Sequence, residues 1–277
     1  MAIQLTTLCE NTVSGPGFTA EWGWSIYVQS DGLNILFDTG ADIAAVKNAD
    51  KLGIDLKASN AIILSHSHQD HTGGLREVLK RTDHPEILAH PALWIPKYKK
   101  RKPDQPAEFN GIPYRMEEIE KQADLKLSPE PVRLSDTVMT TGEVAFTTDF
   151  ESVDAGFFVK DNGDLRPDDF PDDLALIIKT SEGLVIVLGC AHRGMINTIR
   201  HARKITGEER VRAVIGGTHL FPKKKPQVLK TIEALKEIGV GNIGVSHCTG
   251  IDAAMQFAEA FGDRFFFNNA GTVRTIE

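Results

Sequence analysis

The chain has 277 residues, 41% hydrophobic and 25% charged, with a net charge of −7. That is the profile of a soluble globular protein with length for one large or two small domains. The acidic balance excludes a general nucleic-acid binder, which needs a basic face, and no apolar run is long enough to span a bilayer. Three cysteines do not make a disulfide framework, and the start MAIQLTTLCENT lacks the basic segment and apolar core of a secretory signal. A cytoplasmic protein is therefore expected.

Taken in chain order, SIYVQSDGLNILFDTG is two apolar runs around Asp31-Gly32, a hairpin signal. ADIAAVKNADKLG reads as a helix closed by Gly53, AIILS as a short buried strand, 74–80 as a helix and EILAH as a strand. From 91 to 131 the texture turns to Pro, Lys and Gln, and this stretch is expected to be an insertion with a small α+β structure of its own. DLALIIKTSEGLVIVLGC is a second hairpin around Ser181-Glu182-Gly183. Residues 195–205 read as helix, RAVIGG as strand, PQVLKTIEALKEIG as helix, NIGVSHC as strand, DAAMQFAEAFG as helix and DRFFFNNAG as a closing strand. Each half opens with a hairpin and continues as alternating strand and helix, which predicts an α/β protein with two similar halves and mixed sheets. The whole chain, 1–277, is read as one domain carrying the 91–131 insertion.

The stretch HSHQDHTGG at 66–74 stands out. His66 and His68 alternate on an extended backbone and can aim at one metal; Asp70 and His71 follow as the chain turns and can aim at a second. Imidazole nitrogen and carboxylate oxygen are ligands that zinc, manganese and iron accept. Thr72, Gly73 and Gly74 follow, and the glycines are read as allowing a tight turn at a helix start. One loop cannot close such a site. Three further histidines follow apolar strands: His192 after LVIVLGCA, His219 after RAVIGGT and His247 after NIGVS. Those are the strand ends where open α/β sheets bind ligands. His84 and His201 sit in polar surroundings, and His90 is taken as structural. Asp38 ends the strand NILFDTG and is expected to accept the second ring N–H of a ligand histidine.

Asp38 in FDTG, then HSHQDH, then His192, then His247 resemble the signature of the metallo-β-lactamase superfamily. The resemblance implies the αββα sandwich of two mixed sheets flanked by helices. It also implies metals at one edge of the sheets, with His66, His68 and His192 around one and Asp70, His71 and His247 around the other. TLCENT, NADKLGIDL, TTGEV, DDLALII, GCAHRGMINTI, GGTHL and SHCTG narrow the resemblance to a subgroup. That subgroup includes the dihydropterin–ribofuranosylaminobenzene 5′-phosphate synthase and many relatives of unassigned function. One departure stands: where the superfamily usually has a bridging Asp, this chain reads GGTHL, so His219 occupies that place.

The cofactor implied is one or two divalent metal ions, zinc first, with manganese or iron as alternatives. The activity implied is a hydrolase acting on a phosphorylated or otherwise anionic small molecule through a metal-bound hydroxide, with Asp70 and His219 in catalytic roles. The alternatives are a C–N or C–C bond-forming transferase that displaces pyrophosphate, as in the pterin synthase, and a non-catalytic metal-binding protein. Arg193, Lys223 and Lys224 are read as ligands for the anionic group. Lys97, Lys99, Lys100, Arg101 and Lys102 form another basic run, read as solvated surface or as attraction for an anion. Trp22 and Trp24 are read as core or as a stacking platform; Cys190 and Cys248 as packing, with ligation the alternative. Asn11 and Glu21 receive no role, and Asp172 and Asp173 are read as site-facing or as a turn. The expected partner is a small anionic substrate, with no nucleic acid and no membrane, and with a homodimer through the insertion as an option.

Overall fold

The computed structural model describes residues 2–102, 104–161, 163–221 and 223–277. Two large sheets pack face to face. The first runs, edge to edge, Val273–Ile276, Ile3–Cys9, Ser25–Ser30, Leu33–Phe37, Ala61–Ile63, Glu86–Ala89 and Asp124–Leu127. The second runs Phe265–Phe267, Asn242–Ser246, Val211–Gly217, Gly183–Leu188, Ala175–Thr180 and Val138–Thr140. Both change from antiparallel to parallel partway across. Antiparallel pairing includes the hairpin of each half, and parallel pairing takes over where helices intervene. In the first hairpin Ser30 pairs with Leu33, leaving Asp31 (φ 55°) and Gly32 (φ 74°) as a two-residue loop. Two left-handed residues in succession match the twist of the flanking strands, which is why Asp-Gly serves there.

The layers follow from strand alternation. Ile26, Val28, Ile35 and Phe37 point between the sheets and meet Leu176, Ile178, Val185 and Val187 from the other side. Their neighbours Tyr27 and Leu36 face the helical segments 44–52 and 75–79. On the opposite flank Ile177 and Ile186 pack under the helices Met195–Thr206, Lys225–Ile238 and Ile251–Phe261. Strands covered on both faces read as continuous apolar runs, as LVIVL and AIIL do. The architecture is the αββα sandwich. Among the described residues no helix is long and apolar enough to cross a membrane.

Two features depart from the sequence reading. The stretch 91–131 is shared between sheets. Its last strand, Asp124–Leu127, is the parallel edge of the first large sheet. Lys97–Lys99 and Glu108–Phe109 instead join Phe157–Asp161 and Asp164–Pro167 in a small four-stranded sheet. DLKL is short and polar on alternate positions, so its place at a sheet edge leaves a weak signal. The final strand, Val273–Ile276, was not read at all; it pairs antiparallel with Ile3–Cys9, Ile3 opposite Ile276.

The glycines after the histidine motif work differently from the turn expected of them. Gly73 and Gly74 have ordinary right-handed backbones, φ −65° and −73°. What they provide is close approach: a Cβ on Gly73 would lie 2.1 Å from the Ala41 carbonyl oxygen, and one on Gly74 2.1 Å from that of Thr39. The motif's short helix is thereby pressed against the loop that carries Asp38. Gly74→Ala is expected to cost about 1–3 kcal/mol through overpacking. Gly15→Ala, where nothing lies within 4 Å, should stay within about 0.5 kcal/mol. Urea unfolding of the two variants checks the contrast.

Candidate metal centre

Every residue of the centre leaves the carboxyl end of a strand. HSHQDH follows Ala61–Ile63, His192 follows Gly183–Leu188, His219 follows Val211–Gly217 and His247 follows Asn242–Ser246. The exits are sharp. Asp38 (φ 58°), Ala191 (φ 53°), His219 (φ 47°) and His247 (φ 50°) all adopt left-handed backbones. Non-glycine residues enter that region at a cost, and such strain collects where geometry serves a site.

The exits converge two triads. One ligand atom each from His66, His68 and His192 lie within 4.8 Å of one another, and so do those of Asp70, His71 and His247. The His66 and His71 rings, 4.2 Å apart, join the two groups. His66 Nε2, His68 Nε2 and both nitrogens of His192 are buried without a hydrogen-bond partner. Burial pushes the His66, His68 and His192 pKa values well down, so these rings are neutral and keep their lone pairs. Burial alone opposes ionisation of Asp70. The His247 hydrogen bond and the charges of His71, His247 and His68 outweigh it and hold the carboxyl far below the usual range. Neutral, unpartnered nitrogens in the first group and a carboxylate among imidazoles in the second are donors that a divalent transition metal takes, and the residues fit one.

The orienting contacts are specific. Asp38 is fully buried. It accepts the Ser65 N–H and hydroxyl at 2.7 Å each and the His71 Nδ1–H at 2.7 Å, which turns His71 Nε2 to the centre. His247 is set by Asn11 and Glu10. Its Nδ1–H donates to Asn11 Oδ1 at 2.9 Å, its backbone N–H donates to Glu10 Oε1 at 2.7 Å, and its carbonyl accepts from Asn11 Nδ2 at 3.2 Å. Asp172 and Asp173 hold the two histidine loops from behind. Asp172 Oδ2 accepts the Ser67 N–H and Asp173 Oδ2 the Arg193 N–H, each at 2.9 Å. Burial pushes Asp173 up to about 7.

The residues expected at the substrate divide. His219 stands at the centre, its ring 4.1 Å from His192, with Nε2 2.8 Å from Asp154 Oδ2. Burial opposes its protonation, but hydrogen bonds to Asp154 and Cys248 and their charge push it up to about 9. Lys223 reaches the same Asp154 carboxylate, whereas Lys224 is exposed at the start of Lys225–Ile238. Arg193 is buried, and its guanidinium is committed to the carbonyls of Asp169 (2.8 Å) and Val144 (2.6 Å) and to Glu143 (2.9 Å). That is a bracing position behind His192. Lys97 is also no surface charge: it is buried between Asp168, at 2.9 Å, and Asp172. Trp24 is core, but Trp22 is 56% exposed and donates its indole N–H to Asp70 Oδ2 at 3.1 Å. Glu21 receives the N–H groups of Ala41, Asp42, Ile43 and Ala44 at 2.9–3.2 Å, fixing the loop after Asp38 to the start of a helix. His84, His90 and His201 lie outside the cluster, bound to Asp124, the Ala92 N–H and the Thr141 carbonyl. Beside the second triad opens a recess of about 220 Å³, lined among others by Trp22, Phe221, His247, Ile251, Phe267 and Asn269.

The family model described as the metallo-beta-lactamase superfamily matches residues 22–196. The chain belongs to the metallo-β-lactamase superfamily. Within that superfamily, a curated relative from Methanocaldococcus jannaschii is 34% identical over 98% of this chain and 96% of its own length. It is named 7,8-dihydropterin-6-methyl-4-(beta-D-ribofuranosyl)-aminobenzene-5'-phosphate synthase. A solved structure described as Tm1679, a metal-dependent hydrolase of the β-lactamase superfamily, superposes with a TM-score of 0.85 at 29% identity, covering 99% of this chain and 98% of its own. A diphosphatase of the PhnP family shares the fold at 13% identity and a TM-score of 0.54, covering 100% and 98%.

Two outcomes follow from these contacts. Lys97→Met leaves two buried carboxylates without their cation and should lower stability by ~3–5 kcal/mol. Lys102→Met, on the exposed part of the same basic run, should change it by less than about 0.5 kcal/mol; guanidinium unfolding separates them. Asn11→Leu should weaken binding at the Asp70–His71–His247 group by about 10–100-fold through the loss of ring orientation. It should leave the His66–His68–His192 group unchanged, as measured by zinc titration against a chromophoric chelator.

Proposed function

We propose that this chain is a metal-dependent hydrolase of a phosphorylated or otherwise anionic small molecule. The observation that carries the reading is the pair of adjoining triads, the first with buried, unpartnered nitrogens. His66, His68 and His192 would hold one divalent ion and Asp70, His71 and His247 a second, zinc being the ion best suited to this donor set. Such ions supply Lewis acidity toward phosphate oxygens and activate water near neutral pH.

The side chains do the remaining work. Asp70 is the partly exposed member of its triad, 24% of its side chain open, so it can orient an attacking nucleophile by accepting its hydrogen bond while staying ionised. Trp22 steadies that carboxylate through its indole N–H. His219 and Lys223, joined through Asp154, place cationic donors beside His192, where an anionic group would lie. The recess beside His247, walled by Trp22 and Phe221, offers aromatic faces against which a flat ring would stack.

That recess and the name of the 34% identical relative favour a second reading. In it, the nucleophile is an arylamine-bearing ribosyl phosphate and pyrophosphate is displaced from a dihydropterin. One experiment separates the two. Metal-loaded protein is given a dihydropterin pyrophosphate with and without the ribosyl arylamine phosphate, beside a panel of phosphomonoesters and phosphodiesters, with His68→Ala as control. The hydrolase reading expects phosphate or pyrophosphate release that needs no amine and falls at least about 100-fold in the variant, a loss equivalent to ~2.7 kcal/mol. Release that requires the amine establishes the transferase instead. No release from any of these compounds would sink both.

A further inference from the structure

The two triads leave one position unfilled. His219 is engaged beside the first triad, with its Nε2 2.8 Å from Asp154. The group that stands at the junction instead is Cys190. Its Sγ lies 3.0 Å from His71 Nε2. It is also within 4.8 Å of a ligand atom on His66 and His71, on His192 and His219, and on His247 and Cys248. No other side chain is common to three of these groups. Cys190 is buried and unlinked to any other cysteine, in line with the strand Gly183–Leu188 that delivers His192.

We propose that Cys190 is a metal ligand, its thiolate completing the Asp70–His71–His247 centre from the junction with His66 and His192. On binding, the sulfur–metal bond forms as the S–H bond breaks, and the proton leaves to solvent. His71 Nδ1 is held by Asp38, so Nε2 is the free atom, and it faces the sulfur. Bonds of about 2.0 Å to nitrogen and 2.3 Å to sulfur at a tetrahedral angle set the two atoms about 3.5 Å apart. A separation of 3.0 Å therefore needs an opening of only about half an ångström. Thiolate, imidazole and carboxylate together make a donor set that selects zinc over magnesium or calcium. Cys248 is a different case: its sulfur accepts the His219 backbone N–H at 3.1 Å, which assigns it to fixing that turn. The inference rests on the two triads being the metal centre and is independent of the substrate.

The test is optical. Protein loaded with two equivalents of cobalt(II) should show the near-ultraviolet sulfur-to-cobalt charge-transfer band. Cys190→Ser should lose it while still binding cobalt through the first triad, and Cys248→Ser should keep it. X-ray absorption of the zinc-loaded wild-type protein gives a readout free of any folding defect in the variants: a sulfur scatterer at about 2.3 Å is expected. Two bound cobalt ions with no sulfur band, a band that survives Cys190→Ser, or a zinc shell of nitrogen and oxygen alone would each overturn the thiolate while leaving the metal centre standing. Failure to take up metal at all would overturn both.

Discussion

A single buried carboxylate ties the centre to the fold. Asp38 sits at the end of its strand with a left-handed backbone, takes two hydrogen bonds from Ser65 and a third from His71, and is shut off from water. A carboxylate in that position is tolerable because donors meet both of its oxygens. The same bonds fix where the histidine loop begins, since Ser65 precedes His66, and which face of His71 is turned inward. The glycines at 73 and 74 then hold the loop's far end against residues 39–42. The loop is clamped at both ends by the same neighbouring segment, and its side chains inherit the rigidity of the sheet beneath it.

The second half of the chain supplies its histidines by a related device. Strands leave the sheet, the backbone turns through a left-handed residue at or beside the histidine, and an acidic side chain from elsewhere catches a backbone N–H. Glu10 does this for His247 and Asp173 for Arg193, while Asp172 catches Ser67 in the first-half loop in the same way. Asp172 also receives Lys97 from the small sheet, so this outer layer is wired into the histidine loop through one carboxylate.

What the sequence made legible depended on distance along the chain. His66, His68, Asp70 and His71 announce themselves because they are neighbours, and the hairpins because Asp-Gly and Ser-Glu-Gly punctuate apolar runs. The strand ends that carry His192, His219 and His247 were readable from the apolar runs before them. The orienting contacts were not, since Asn11 and His247 stand 236 positions apart and an asparagine carries no pattern of its own. Lys97 misled for a physical reason: it lies in a run of basic residues, and such runs are usually solvated, but a two-carboxylate pocket drew this one in. Gly73 and Gly74 were given a turning role because glycine most often supplies one, whereas here the missing Cβ is what counts. Asp154, in a stretch without periodicity, gave no signal at all.

The chain has three tryptophans, and they are unequally placed. Trp24 is sealed in the core and Trp94 is half-covered, while Trp22 is open to solvent with its indole N–H on the very oxygen of Asp70 that faces His247. Whatever draws electron density from that oxygen also acts on the indole. Emission from Trp22 is therefore a native gauge of the Asp70–His71–His247 group, readable without a label.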